Sequence, residues 1–73
     1  MSASESVIRQ LGYFYVSQQN FAEANKLFKY GTERYPNVPD AYNGLAYGYE
    51  QSGQYNEALE QVNKALAIAT DGR

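Results

Sequence analysis

The chain is predicted to be all-α, with four antiparallel helices in two helix–turn–helix pairs that form a short α-solenoid. Three observations predict this. Leu11, Tyr13, Tyr15, Glu23 and Ala24 recur 34 residues later as Leu45, Tyr47, Tyr49, Glu57 and Ala58. Apolar residues within each segment follow the 3.6-residue period of a helix. Residues that break or cap helices separate the segments. Near-matches share the same offset: Ile8 with Tyr42, Gly12 with Ala46, Phe21 with Tyr55, Phe28 with Val62 and Gly31 with Ala65. A fixed period of this size means one supersecondary unit stacked on a copy of itself. The functional question becomes which partner is bound, rather than which reaction is run.

The first helix is expected from about Glu5 to Gln18. Ile8, Leu11, Gly12 and Tyr15 fall on one face. Ser4 or Ser2 can cap it, and Glu5 suits the positive end of the helix dipole. The second opens at Asn20, which with Glu23 resembles a capping box. Phe21, Ala24, Phe28, Gly31 and Tyr35 form its stripe, and Pro36 stops it because the residue before proline is driven out of the helical region. Pro39 suits the first position of the third helix, where its missing N–H is not needed. Tyr42, Leu45, Ala46 and Tyr49 repeat the face of the first helix. Gly53 is the expected left-handed residue after it. Its counterpart is Gln19, so the first turn should be less ideal. The fourth helix is expected from about Tyr55 to Ala69. Its interior stripe is Tyr55, Ala58, Val62, Ala65 and Ala69, widened by Leu59 and Leu66. Small residues at Gly12/Ala46 and Ala24/Ala58 let paired helices approach closely.

The bulk numbers narrow the function. Seventy-three residues allow one small domain, spanning 1–73. A core this small rarely contributes more than roughly 3–5 kcal/mol without staples. There is no cysteine and no histidine, so disulfides and the usual zinc sites are excluded. The net charge is −2 and the pI about 4.9. No basic patch marks a nucleic-acid surface, and no apolar run is long enough to span a membrane. Met1 to Ser6 lacks the basic and apolar regions of a signal peptide. A cytoplasmic location is the expectation, open if the chain belongs to a larger protein. No glycine-rich phosphate loop, nucleophile–base pair or metal-ligand cluster is present. The chain is therefore expected not to be an enzyme, and to use no cofactor and no metal.

The spacing of these residues resembles the tetratricopeptide repeat, a 34-residue helix–turn–helix. Repeat one, about residues 5–38, reads Ile8, Leu11-Gly12, Tyr15, Phe21, Ala24, Phe28, Gly31, Pro36. Repeat two, about 39–72, reads Tyr42, Leu45-Ala46, Tyr49, Tyr55, Ala58, Val62, Ala65, Thr70. There are departures. Gly31 replaces the usual Ala and weakens its helix by up to about 1 kcal/mol. Asn25, Thr32 and Arg34 stand at positions that are usually aliphatic. Thr70 replaces the closing Pro, so the last helix can run on.

The resemblance implies a non-enzymatic module that binds a peptide or protein segment in a concave groove lined by the first helix of each pair. Residues off the interior stripe would face it: Ser6, Arg9, Gln10, Tyr13 and Ser17, then Asp40, Asn43, Gly44, Tyr47, Glu50 and Gln51. Tyr13 and Tyr47 lead this set, because they are identical across the repeats yet lie outside the stripe. They could form a binding strip or simply pack on one another. Arg9 could pair with a peptide carboxylate or be a locally paired charge. The family's carboxylate clamp is expected to be absent, since Tyr13 and Gly44 stand at its positions. A second reading is structural. Val7 and Phe14 on the first helix, with Leu59 and Leu66 on the last, form apolar ends that need cover. Through them the chain would form a homo-oligomer or dock on another domain of a larger protein, including a catalytic one.

Overall fold

The computed structural model describes residues 4–71. Four helices follow one another: α1 (Glu5–Ser17), α2 (Phe21–Arg34), α3 (Pro39–Gln51) and α4 (Tyr55–Asp71). Each packs on the next, and α1 also lies against α3. Among the described residues α2 and α4 do not meet. The first helices of the two pairs therefore converge while the second helices splay. The molecule is thin, 14 Å in its shortest dimension against 37 and 34 Å in the others. Few side chains can be fully enclosed in such a slab.

Each helix end has a local cause. The Val7 N–H donates to Ser4 Oγ at 3.3 Å. Ser2, the other candidate cap, lies outside the described residues. The Glu23 N–H donates to Asn20 Oδ1 at 3.5 Å, one half of the expected capping box. Tyr35 leaves the helical region at φ −129°, ψ 65°, as the residue before a proline should. The Tyr42 hydroxyl donates to the Pro36 carbonyl at 2.9 Å and pins the link between the pairs. Pro39 opens α3 with no side-chain cap. α4 runs on to Asp71, which follows from Thr70 in place of a terminating proline.

The turns inside the two pairs are the same turn. The Gln19 N–H bonds the Val16 carbonyl at 2.8 Å and the Asn20 N–H bonds that of Tyr15 at 2.9 Å. The Gly53 N–H bonds the Glu50 carbonyl at 3.1 Å and the Gln54 N–H bonds that of Tyr49 at 2.8 Å. This crossed pair of bonds needs a left-handed residue at its centre. Gly53 has φ 82° and Gln19 has φ 59°. Glycine adopts that conformation freely, whereas for glutamine it costs about 1 kcal/mol.

The core centres on Phe28, the one large side chain among the described residues that is essentially enclosed. Val16, Ala24 and Leu45 surround it, with Tyr15, Phe21 and Tyr49 at the margin. Its ring is gripped by glycines. A Cβ on Gly12 would fall 2.5 Å from Phe28 Cζ and 2.7 Å from Cδ1. A Cβ on Gly48 would fall 2.7 Å from Cδ2, and one on Gly44 3.1 Å from Cδ1. Repeat two has Val62 where repeat one has Phe28, and Ala46 where it has Gly12. The smaller apolar residue thus accompanies the larger neighbour, which conserves local volume.

Some interior positions read from the sequence are not interior. Leu11 is 46% exposed although Leu45, its counterpart, is 4% exposed. α2 covers Leu45, and nothing among the described residues covers Leu11. Tyr55, Val62 and Ala69 of the α4 stripe are exposed for the corresponding reason at the other end. Val16 and Gln61 are buried where the stripe reading passed over them. Gly44, expected to face the groove, is buried beneath Phe28 and the stem of Arg9.

Candidate interaction site

α1 and α3 lie side by side, and equal positions on them become neighbours. This brings Tyr13 and Tyr47 edge to face, with ring centroids 5.3 Å apart and planes at 88°. The arrangement suits the aromatic quadrupole. Tyr13 also leans on Phe28 at 5.6 Å, so the buried ring supports the surface one from below. Both tyrosines remain more than a third exposed. They are neither core nor free: each has one face fixed by packing and one open to solvent.

Arg9 stands one turn before Tyr13, with its guanidinium carbon 6.0 Å from the ring centroid. Its Nε donates to Glu5 Oε2 at 3.0 Å, and its Nη2 lies 3.7 Å from Asp40 Oδ2. The Glu5–Arg9 pair has the (i, i+4) spacing of helix ion pairs, a signal in the sequence that the groove reading did not use. Arg9 is raised above its ordinary pKa by the Tyr13 side chain first and by Glu5 second, with partial burial opposing both. An arginine is charged at any working pH, so the consequence is positional: the guanidinium is held across α1 and α3, beside the tyrosines. This is the locally paired reading of Arg9. One of its partners, Asp40, is itself well exposed.

The other expected groove residues take varied places. Ser6, Gln10, Asn43, Glu50 and Gln51 are exposed. The Ser17 hydroxyl turns back to the Phe14 carbonyl at 2.6 Å and serves its own helix. At the ends, Val7 is 47% exposed, Phe14 55%, and Leu59 and Leu66 60% each. An open hollow lined by Asn37, Pro39, Ile68, Ala69 and Asp71 lies beside the α2–α3 link and shares no residue with the tyrosine strip. Among the described residues, no group of three or more His, Cys, Asp or Glu could hold a metal ion. No described helix is long and apolar enough to cross a membrane.

Comparison with known proteins agrees with the geometry. The tetratricopeptide-repeat family model matches residues 15–73. The solved structure titled "MamA MSR-1 C2" superposes with a TM-score of 0.83 at 30% sequence identity. That match covers 96% of this chain, which spans 40% of the other's length. No curated protein sequence matches significantly. A match over most of its length and a helical-repeat architecture shared with a solved structure show that the chain belongs to the tetratricopeptide-repeat family, whose domains are in general protein-interaction modules.

Proposed function

We propose that the chain binds a peptide or protein segment on the surface that α1 and α3 share, with Tyr13 and Tyr47 as the anchors. One observation carries this reading: two identical tyrosines at equal repeat positions, edge to face at 5.3 Å, each braced yet more than a third exposed. Tyrosine gives contact area at small entropic cost, and a ring already braced by its neighbour has less freedom left to lose on binding. Gln10, Ser6, Asn43, Glu50 and Gln51 offer polar contacts around the strip. Arg9 and Asp40 offer a paired cation and anion at one end, able to meet a backbone or an ionic side chain without either charge being buried alone.

The test is a random peptide library displayed on phage and panned against the intact chain. The strongest peptide is then titrated against the wild type and a Tyr13→Ala/Tyr47→Ala variant, with helix content checked by circular dichroism. Loss of at least about tenfold in affinity is expected for two aromatic anchors. Equal affinity would remove the strip as the binding surface.

A further inference from the structure

We propose that the chain stacks head to tail on a second copy of itself, α4 of one copy against α1 of the next, in the register of its own α2–α3 junction. The internal repeat supplies the evidence. Val7, Leu11 and Phe14 are exposed on α1, while their counterparts 34 residues on, Ala41, Leu45 and Gly48, are buried on α3. What buries Leu45 is α2, whose Ala24 and Phe28 share its cluster. The counterparts of Ala24, Asn25, Phe28 and Thr32 on α4 are Ala58, Leu59, Val62 and Leu66. The last three are exposed and apolar. α1 and α4 thus each present one half of a junction that these four helices already contain once, complete, between α2 and α3.

Three features favour a second copy over an unrelated helix. The facing stripes, Val7, Gln10, Leu11 and Phe14 on one side and Tyr55, Leu59, Val62 and Leu66 on the other, carry no charge. Their sizes also exchange. At the internal junction the ring comes from the α2 side, Phe28, and glycines receive it at Gly44 and Gly48. At the projected junction Val62 replaces that ring, and Gln10 and Phe14 stand where the two glycines were. The aromatic ring changes sides, so the junction keeps one. The polar contact is relieved as well. Asn25 Oδ1 is buried without a hydrogen-bond partner against Gly48, where a Cβ would collide with it. The copy-to-copy equivalent sets Leu59 against Phe14, an apolar pair in which the end of the Leu59 side chain has to turn aside to admit the ring.

The contact is heterologous, with a different face on each copy, and such a contact does not close at a dimer. Glu50 is the counterpart of Val16, which is 7% exposed in the core cluster, so stacking draws a carboxylate toward a buried position, a cost that makes the association weak and reversible. The inference is independent of the tyrosine strip and stands or falls without it.

Sedimentation equilibrium of the intact chain, from about 10 μM to about 1 mM, tests it. The average mass should climb through dimer with no plateau. Phe14→Lys and Leu59→Lys each place a charge on one face at a position more than half exposed in the single chain, so both variants should fold, as circular dichroism would verify. Each alone should weaken self-association at least about tenfold. Mixed together they should form a one-to-one dimer that grows no further, because Leu59 of the first and Phe14 of the second remain intact. A wild type that stays monomeric at about 1 mM, a plateau at dimer, self-association retained in either single variant, or no dimer in the mixture would each overturn the proposal.

Discussion

Replacing Gly12 by alanine sets two effects of opposite sign against each other. Alanine in a helix interior is favoured over glycine by about 1 kcal/mol. The new methyl, however, would fall 2.5 Å from Phe28 Cζ and 2.7 Å from Cδ1, well inside the roughly 3.5–4.0 Å of an ordinary carbon contact. The ring would have to move by about 1 Å. It has no slack on the far side, since a Cβ on Gly48 would already lie 2.7 Å from Cδ2. Overpacking of a confined site costs about 1–3 kcal/mol, and a ring held at both edges belongs at the upper end. We therefore expect Gly12→Ala to lose about 2 kcal/mol net, which lowers the melting temperature by about 10 °C in a domain of this size. Urea unfolding followed at 222 nm measures the first quantity, and a thermal melt the second. The pair Ala46/Val62 in repeat two supplies the control. Phe28→Val alone should cost about 2–4 kcal/mol by leaving a cavity. Combined with Gly12→Ala it should cost less than the sum by more than about 1 kcal/mol, because the methyl fills part of that cavity. A Gly12→Ala variant as stable as the wild type, or strict additivity in the cycle, would refute the claim that Phe28 dictates glycine at this position.

Two further substitutions should stabilise the chain. Gly31 is buried, but a Cβ there would meet its nearest neighbour, Ile8 Cγ2, at 3.5 Å. Gly31→Ala should therefore keep most of the helix-propensity gain, up to about 1 kcal/mol, measured by urea unfolding. Gln19 holds φ 59° in the turn that Gly53 completes without strain. Gln19→Gly should raise stability by about 0.5 kcal/mol, the relief of strain slightly exceeding the added freedom of the unfolded chain. A loss of stability would mean that the Gln19 side chain contributes more than its backbone costs.

The helices were legible in the sequence because their signals are local. Asn20, Pro36, Pro39 and Gly53 act on their own neighbours, and the observed helix ends fall at or within two residues of the expected ones. Burial was less legible, because it depends on what lies opposite. Leu11 and Leu45 are the same residue in the same local pattern, yet one is open and the other enclosed. Helical periodicity identifies a face but not its cover. The Tyr13–Tyr47 pair could be anticipated from the repeat offset. The brace beneath it could not, since Phe28 reaches Tyr13 from another helix. Gly44 illustrates the same limit. It shares a helix face with groove positions, yet the large ring on α2 needed a place to fit.

The tyrosine strip and the apolar ends adjoin at Gln10 and Glu50 and are related by the repeat. The operation that carries Tyr13 to Tyr47 would carry Tyr47 to Tyr13 of the next stacked copy. A stack would therefore extend the strip as a ladder, with one edge-to-face contact per junction. A bound segment long enough to cross the junction would touch both copies and favour the stacked state. Linkage then requires the reverse, that stacking tighten binding by the same factor. A segment confined to one copy gains nothing from stacking and gives nothing to it. Mass measured by sedimentation in the presence of a short peptide and of a tandem version of it separates the two cases. The tandem peptide should raise the average mass of the wild type, and it should lose that effect on Phe14→Lys while still binding at its strip. Equal masses with both peptides would show that the strip and the ends act without reference to one another.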